Sequence, residues 1–207
     1  MIEFLAERWL DIVTTLLGLA YILLEYKASI WLWVVGFMMQ SLDIVLYYQK
    51  GLYADCGMEF YYIAMTIYGF VMWQAGKQKK STVEGSETNA KATQERPIEH
   101  FPKDKILPAT LLTLMLWAIT YYLLVRFTDS TVPIADSFTT AFSFVAIWAL
   151  ARKYLEQWLL WIAVDVVTFV LYLYKDIPFK AGLYGLYIII AVMGFFKWKK
   201  MMHAKTI

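Results

Sequence analysis

The chain has one cysteine, Cys56, and two histidines among its 207 residues. A single cysteine excludes an intramolecular disulfide and any metal cluster built on several thiolates. The sequence also lacks a His/Glu metal-ligand cluster, a glycine-rich phosphate loop, a Walker sequence and a nucleophile with a matching base. We therefore predict no enzymatic activity, no metal, no cofactor, no nucleic-acid partner and no ATP-driven step by this chain alone.

Charged residues are also few, at 17% of the chain, whereas 60% of residues are hydrophobic and 18% are aromatic. The apolar residues form blocks of about twenty, the length that spans a hydrocarbon core of about 30 Å. The composition excludes a soluble domain and predicts a polytopic membrane protein. The first block lacks a basic leader with a cleavage site, so we expect a retained helix and not a signal peptide. The predicted spans are 8–26, 30–49, 56–74, 106–127, 134–151, 156–174 and 181–198.

One long connection, residues 75–105, is polar, mixed in charge and without apolar periodicity. This pattern predicts a solvent-exposed, mobile linker that serves as a tether. Lysine and arginine are unequally divided: five lie on one side of the predicted spans, and fourteen lie on the side that includes the linker. The richer side is cytoplasmic by the positive-inside rule. Seven spans then place the N-terminus outside and the tail, residues 199–207, in the cytoplasm.

An internal repeat emerges when the sequence is shifted by 125 positions, with no gap needed between Asp11 and Trp73. Matched pairs include Trp33 with Trp158, Tyr47 with Tyr172, Tyr62 with Tyr187, Gly69 with Gly194 and Trp73 with Trp198. The repeat unit is three helices, over 8–74 and again over 134–198, and the span at 106–127 lies between the copies. Because four spans separate equivalent positions, both copies enter the membrane in the same orientation. We predict an all-α fold of two parallel three-helix repeats joined by a linker helix (3+1+3, SWEET-like), which is a known transporter design.

The sixth span carries one carboxylate, Asp165, near its middle. A charged side chain at membrane depth costs at least about 2.5–3.5 kcal/mol, so something must compensate for it. Trp161, Asp165 and Phe169 recur every four residues and share one helix face. This face is typical of one wall of a site for a flat, positively charged ligand.

The repeat pairs Asp165 with Gln40, and two further carboxylates, Asp43 and Glu59, lie in the second and third spans. No lysine or arginine lies at comparable depth. These carboxylates could be hydrogen-bonded structural groups, for example with Gln40, Thr66 or Thr168 as partners, or proton relays, or a cation site. We favour the cation site, because aromatic faces on the same helices attract cations by about 0.5–2 kcal/mol each. The candidate substrate-binding residues are Asp165, Trp161, Gln40, Asp43, Glu59, Tyr62, Tyr187, Tyr184, Trp158 and Phe169.

Tryptophan is frequent near the ends of the predicted spans, where anchoring at the membrane interface is its usual role. We expect that role for most of this group and regard the deeper Trp161 and Tyr187 as the better site candidates. The tryptophans near span ends are Trp31, Trp33, Trp73, Trp158 and Trp198.

Three segments, LYADCGMEFYYIAMTIYGFVMW (52–73), RKYLEQWLLWIAVDVVTFVLYLYK (152–175) and LYGLYIIIAVMGFFKW (183–198), resemble the PnuC family of bacterial vitamin transporters. The resemblance covers nearly the whole chain except the linker. It implies seven helices in two three-helix repeats, a homotrimer in the inner membrane, and facilitated diffusion of a vitamin. It also implies that a cytosolic kinase traps the vitamin by phosphorylation.

The resemblance also bears on the substrate. Nicotinamide riboside carriers of the family typically have Asn in the sixth-helix motif, where this chain has Asp165. A carboxylate suits the thiazolium cation of thiamine, so we predict the thiamine branch, with nicotinamide riboside, also a cation, as the alternative. Neutral riboflavin is less favoured. A proton-coupled symporter that uses Asp165 as a relay, and a membrane scaffold without transport, are the competing classes.

Overall fold

Helices account for most of the residues that this computed structural model describes, which are 2–49, 53–78, 96–128, 130–174 and 178–204. Seven α-helices occur in these ranges, as expected for an all-α fold. They are α1 (Ile2–Tyr26), α2 (Trp31–Gln49), α3 (Tyr53–Gln78), α4 (Ile106–Phe127), α5 (Pro133–Ala151), α6 (Gln157–Tyr174) and α7 (Pro178–Ala204), and a short 3-10 helix, Lys103–Lys105, precedes α4.

The chain divides into two compact units, Met1–Pro97 and Ile98–Ile207. In the first unit α1 packs on α2, and α2 packs on α3. In the second unit α4 packs on α5, α5 on α6, and α6 on α7. The predicted linker helix α4 belongs to the second unit, where the Trp117 indole donates a hydrogen bond to the Ser137 hydroxyl at 3.0 Å. Only Thr113 of α4 is buried, so most of this apolar helix is exposed on the surface of its unit.

Five of the helices in the described part of the chain are long and apolar enough to cross a membrane by length and composition. They are α2, α4, α5, α6 and the Ala181–Ala204 part of α7. The remaining two, α1 and α3, were also predicted as spans; in α1 the Leu16–Tyr26 part is a shorter apolar helix, and α3 contains ionisable residues that lower its mean hydropathy. In α3 these residues are Asp55, Glu59 and Lys77.

Equivalent turns of the two units have the same backbone geometry. Ala28, after α1, and Lys153, after α5, are 125 positions apart, and their φ angles are +51° and +54°. In each turn the following residue, Ser29 or Tyr154, donates its N–H to a carbonyl five residues earlier, at 3.0 Å in both cases. This is a Schellman motif, which ends a helix by satisfying its last carbonyl groups. Both sequences thus encode one turn, although neither uses the glycine that usually occupies the left-handed position.

The third helix of each three-helix repeat (α3 or α7) packs against the second (α2 or α6) through a tryptophan and a glycine. The Trp33 and Trp73 rings lie 5.5 Å apart at 88°, and the Trp158 and Trp198 rings lie 5.6 Å apart at 90°. All four rings are at most 1% exposed. The prediction of interfacial anchoring is therefore wrong for these four residues, since each ring fills a helix contact. Trp31, which is 64% exposed, is placed as that prediction requires.

The end of the predicted linker is ordered, in contrast to the expected mobile tether. Residues 79–95 lie outside the described residues, whereas residues 96–105 lead into α4. Ile98 is buried, and Glu99 forms a parallel bridge with Tyr154 in the turn between α5 and α6. A polar composition did not reveal this contact, because the pairing is made by the backbone.

Candidate functional site

The central feature of the candidate site is a stripe of side chains on one face of α6. Gln157, Trp161, Asp165 and Phe169 follow one another at intervals of four residues, so they lie one above another along the helix. Gln157 is fully buried and Asp165 is 6% exposed. The Trp161 indole nitrogen is also buried. Polar groups enclosed in this way normally have hydrogen-bond partners, so each of these needs an explanation.

Asp165 has no hydrogen bond or ion pair within the part of the chain that the structure describes. Thr168, one of the partners considered from the sequence, instead donates its hydroxyl to the Val164 carbonyl of its own helix at 2.8 Å. Tyr187 on α7 lies within electrostatic range of the Asp165 carboxyl group. A buried carboxylate without a partner is costly in its ionised form, and a bound cation would relieve that cost.

The equivalent position in the first unit shows how a structural polar group is accommodated. Gln40, which the repeat pairs with Asp165, is 3% exposed, and its Oε1 accepts a hydrogen bond from the Thr66 hydroxyl at 2.9 Å. A shift of 125 positions brings Thr66 onto Ala191, which is 1% exposed and has no polar side-chain atom. The second unit therefore has a carboxylate in place of the amide and lacks the hydroxyl that satisfies the amide in the first.

Tyrosines line the α6–α7 contact beside this stripe. The Tyr172 and Tyr184 rings lie 5.3 Å apart, and the Tyr184 and Tyr187 rings lie 5.6 Å apart. Phe169 approaches Gly185, where an added Cβ would lie 3.5 Å from the Phe169 ring. Four of the predicted site residues, Asp165, Phe169, Tyr184 and Tyr187, thus lie on two helices that pack together. Their combination of a carboxylate and aromatic faces suits a planar cation.

Trp158 was predicted to be a substrate-binding residue, and in the structure it lies in the contact between α6 and α7. A Cβ on Gly194 would come within 2.6 Å of the Trp158 ring, and Trp198 packs against the same ring edge-on. The equivalent Trp33 has the same surroundings in the first unit. Its enclosure between α6 and α7 assigns Trp158 to helix packing, and no face of the ring is left for a ligand.

The other predicted residues belong to the first unit. Glu59 on α3 is buried, Asp43 on α2 is half-buried, and Tyr62 packs edge-on against Tyr61 at 5.7 Å. Asp43, Glu59 and Tyr62 all take part in interactions within the chain. Gln40 is likewise hydrogen-bonded, to Thr66. A role as structural, hydrogen-bonded polar groups therefore fits these first-unit residues better than it fits Asp165. Among the described residues, no three His, Cys, Asp or Glu side chains are grouped so that they could hold a metal ion.

Two residues of the second unit were missed in the sequence. Both polar atoms of the buried Gln157 side chain lack a partner among the described residues. The repeat contains a sign of this residue, because a shift of 125 positions pairs the polar Gln157 with the apolar Leu32, which is equally buried. Glu156 accepts hydrogen bonds from residues more than fifty positions earlier, and no local pattern signals that contact.

Comparison with known proteins identifies relatives over most of the chain. A family described as "Nicotinamide mononucleotide transporter" matches residues 8–200. The nicotinamide riboside transporter PnuC of Neisseria mucosa is 25% identical, with 94% of this chain and 73% of that protein covered. The riboflavin/roseoflavin transporter RibM of Streptomyces davaonensis is 24% identical, with 92% and 84% covered. The crystal structure of the vitamin B3 transporter PnuC shares the fold, with a TM-score of 0.70 at 22% identity over 97% of this chain and 85% of that one.

Proposed function

The chain belongs to the nicotinamide mononucleotide transporter family, and from this membership we propose that it takes up a cationic vitamin, with thiamine as the first candidate. The family is one of transporters and not of enzymes. The chain is accordingly a multi-pass membrane protein of a bacterial transporter family with a small-molecule vitamin as substrate. The identity of the vitamin, the coupling and the assembly are parts of the proposal.

The observation that carries the proposal is that Asp165 and Ala191 occupy the positions held in the first repeat by the hydrogen-bonded residues Gln40 and Thr66. A structural polar group in this fold is satisfied by a neighbouring hydroxyl at 2.9 Å. Asp165 combines a charge with the absence of that hydroxyl. Since a charge at membrane depth costs several kcal/mol and Asp165 has no hydrogen-bond partner among the described residues, its presence favours a role in which a cation arrives to neutralise it.

In the proposed binding mode, the permanent positive charge of the vitamin lies against Asp165. The aromatic groups nearby, Trp161, Tyr184 and Tyr187, stack on its heteroaromatic rings, and cation–π attraction adds to the ion pair. Thiamine fits this arrangement because its thiazolium is a cation and its aminopyrimidine is a flat ring that stacks. Asp43 and Glu59 stay candidates for the entry path on the outer side.

Transport is proposed to be facilitated diffusion by alternating access, as in carriers with parallel repeats. The N-terminus lies outside and the C-terminus in the cytoplasm of a bacterial inner membrane, in accord with the distribution of lysine and arginine. A cytosolic vitamin kinase then traps the substrate, and the carrier assembles as a homotrimer. These parts of the proposal follow from the family resemblance.

Nicotinamide riboside is the second candidate substrate. It is also a cation, and relatives from Neisseria mucosa and Escherichia coli are named as transporters of it. Riboflavin, named for the Streptomyces relative, is neutral and cannot form an ion pair with a carboxylate. Charge alone does not separate the first two candidates, so the substrates must be compared directly.

Uptake into proteoliposomes tests the proposal. The purified protein should equilibrate labelled thiamine across the bilayer, and a protonophore should leave the rate unchanged. Uptake of nicotinamide riboside alone would replace thiamine by the second candidate and preserve the carrier mechanism. Collapse of uptake with the protonophore would indicate proton symport, and no uptake of thiamine, nicotinamide riboside or riboflavin would refute the proposed function.

A further inference from the structure

A short segment that precedes α4 is fastened across the turn that leads into α6. We call this segment, Ile98–Phe101, the strap. Glu99 donates its N–H to the Lys153 carbonyl at 3.1 Å, and its own carbonyl accepts the Leu155 N–H at 2.9 Å. The strap therefore satisfies the Leu155 N–H, a backbone donor in the turn before α6 that has no partner within the turn.

Glu156, the residue before α6, adds the side-chain half of this attachment. One of its carboxylate oxygens accepts the Phe101 N–H at 2.8 Å, and the other lies 2.8 Å from His100 Nδ1. Both oxygens of one side chain are thus used on two successive strap residues. Hydrogen bonds to an ionised acceptor are stronger than those between neutral groups.

An aromatic cluster covers the attachment. The Phe101 ring lies 5.1 Å from Tyr154 and 5.9 Å from Trp148, and those two rings lie 5.9 Å from each other. The strap residue Ile98 is buried, and so is Tyr154. The strap is accordingly part of the packed second unit.

The first unit has no such cover in the part of the chain that the structure describes. The positions equivalent to Trp148 and Glu156 are Leu23 and Trp31, and they are 54% and 64% exposed. The two turns have the same backbone geometry, so the turn itself does not need a strap. Among the described residues, the attachment is found only in the repeat that carries Asp165.

We propose that Glu156 is a positioning residue, which holds the strap on the α5–α6 turn and thereby fixes the direction in which α6 presents Trp161 and Asp165. The link to substrate binding rests on the function proposed above. Asp165 follows Glu156 by nine residues, about 13 Å along a helix axis. A tilt of the α6 axis by roughly 5° at Glu156 would displace Asp165 sideways by about 1 Å. A displacement of that size disturbs a binding geometry.

Three variants of the full-length protein in detergent test this role. E156A removes both acceptors, E156Q keeps one amide oxygen that can accept the Phe101 N–H, and E99A is the matched control. Glu99 is an exposed carboxylate of the strap whose backbone, and not its side chain, makes the attachment. The measurements are hydrogen exchange of peptides covering residues 98–101 and 155–165, and calorimetric binding of thiamine and of nicotinamide riboside.

For E156A we expect faster exchange in both peptides and about tenfold weaker binding of whichever probe the unaltered protein binds. E156Q should recover part of both effects, and E99A should match the unaltered protein. Unchanged exchange in E156A, or faster exchange with unchanged affinity, would overturn the positioning role. If E156A does not fold, E156Q decides by the same two criteria.

Failure of the proposed function has a different signature. In that case the unaltered protein binds neither probe, while the exchange measurement still reports on the strap. Faster exchange over residues 155–165 in E156A or E156Q would then support the positioning of α6, and unchanged exchange would overturn it.

Discussion

Gln40 and Asp165 occupy equivalent positions in the two repeats and differ in what surrounds them. The Thr66 hydroxyl donates a hydrogen bond to Gln40 at 2.9 Å, and the residue equivalent to Thr66 in the second repeat is Ala191, which has no hydroxyl. A neutral amide with one good hydrogen bond is an inexpensive polar group in a membrane protein, whereas an ionised carboxylate without a partner is an expensive one. The comparison is internal to the chain and joins equivalent positions of the two repeats.

Restoring the hydroxyl should therefore weaken substrate binding. In A191T the new hydroxyl donates to the Asp165 carboxylate and competes with the vitamin, which lowers the affinity by about tenfold, since hydrogen bonds to charged groups contribute about 1.5–3 kcal/mol. A191V is the control of matched shape without a hydroxyl and should change the affinity by less than about threefold. Calorimetry with thiamine compares the two. Equal losses in both variants would point to crowding at Ala191 and count against the competition.

Gln157 gives a prediction about stability. Its amide is fully buried without a partner among the described residues, and the equivalent residue in the first repeat is Leu32. Q157L should raise the free energy of unfolding by about 1–3 kcal/mol, the cost of an unsatisfied buried polar group. The mirrored change, L32Q, should lower it by a similar amount. Thermal stability of the purified variants provides the measurement, and a destabilised Q157L would mean that the amide is satisfied in the folded protein.

The sequence predicted the residue-scale chemistry in part. The 125-residue repeat paired Asp165 with Gln40, and no lysine or arginine was predicted at a comparable depth. Glu156 could not be found in this way, because its partners, His100 and Phe101, are brought to it by the fold over more than fifty positions. Trp158 was assigned to the site because a tryptophan near a carboxylate fits both a binding role and a packing role.

At the scale of helices, close approach between the second and third helix of each repeat depends on a missing side chain. A Cβ on Gly194 would lie 2.6 Å from the Trp158 ring, and one on Gly69 would lie 2.3 Å from the Trp33 ring. Small residues allow membrane helices to approach closely, as the sequence pattern of these glycines suggested. In the second unit this approach holds α7, with Tyr184 and Tyr187, against α6.

An alanine at Gly194 should consequently separate α6 from α7. We expect G194A to cost about 1–3 kcal/mol of stability, as overpacking of a well-filled core does. G182A in the same helix is the control, because an added Cβ there meets no atom within 4 Å. Thermal unfolding in detergent should show a lower midpoint for G194A alone. A G194A variant as stable as G182A would contradict the close packing of this pair.

The helix boundaries followed from the apolar blocks to within a few residues, and α4 matched its predicted range, 106–127. The largest differences are at the ends of α1 and α7, which extend beyond the apolar blocks to Ile2 and Ala204. The helices continue there through turns that contain charged residues, and those residues interrupt the apolar pattern from which the boundaries were predicted. The ordered strap was missed for the opposite reason, since a polar segment without periodicity gives no sign of backbone pairing with a distant turn.

At the scale of the whole molecule, a family fold carries one unusual charge. The fold is that of a vitamin transporter family, and the two repeats retain the same turns and the same Trp–Gly contacts. Such a scaffold does not by itself name a substrate. The charge at Asp165 is the feature that selects a cation in the proposed function, and its neutralisation on binding would supply part of the affinity.

The most direct test is calorimetric binding of thiamine to the unaltered protein and to D165N. Asparagine keeps the size and one acceptor of the side chain and removes its charge, so the variant isolates the electrostatic part of the interaction. If Asp165 pairs with the cation, thiamine binds to the unaltered protein and its affinity for D165N is more than about tenfold lower. The reason is that one ion pair in a weakly solvated site contributes at least about 1.4 kcal/mol. Equal affinity in the two proteins would contradict the role of Asp165 as the cation-binding group.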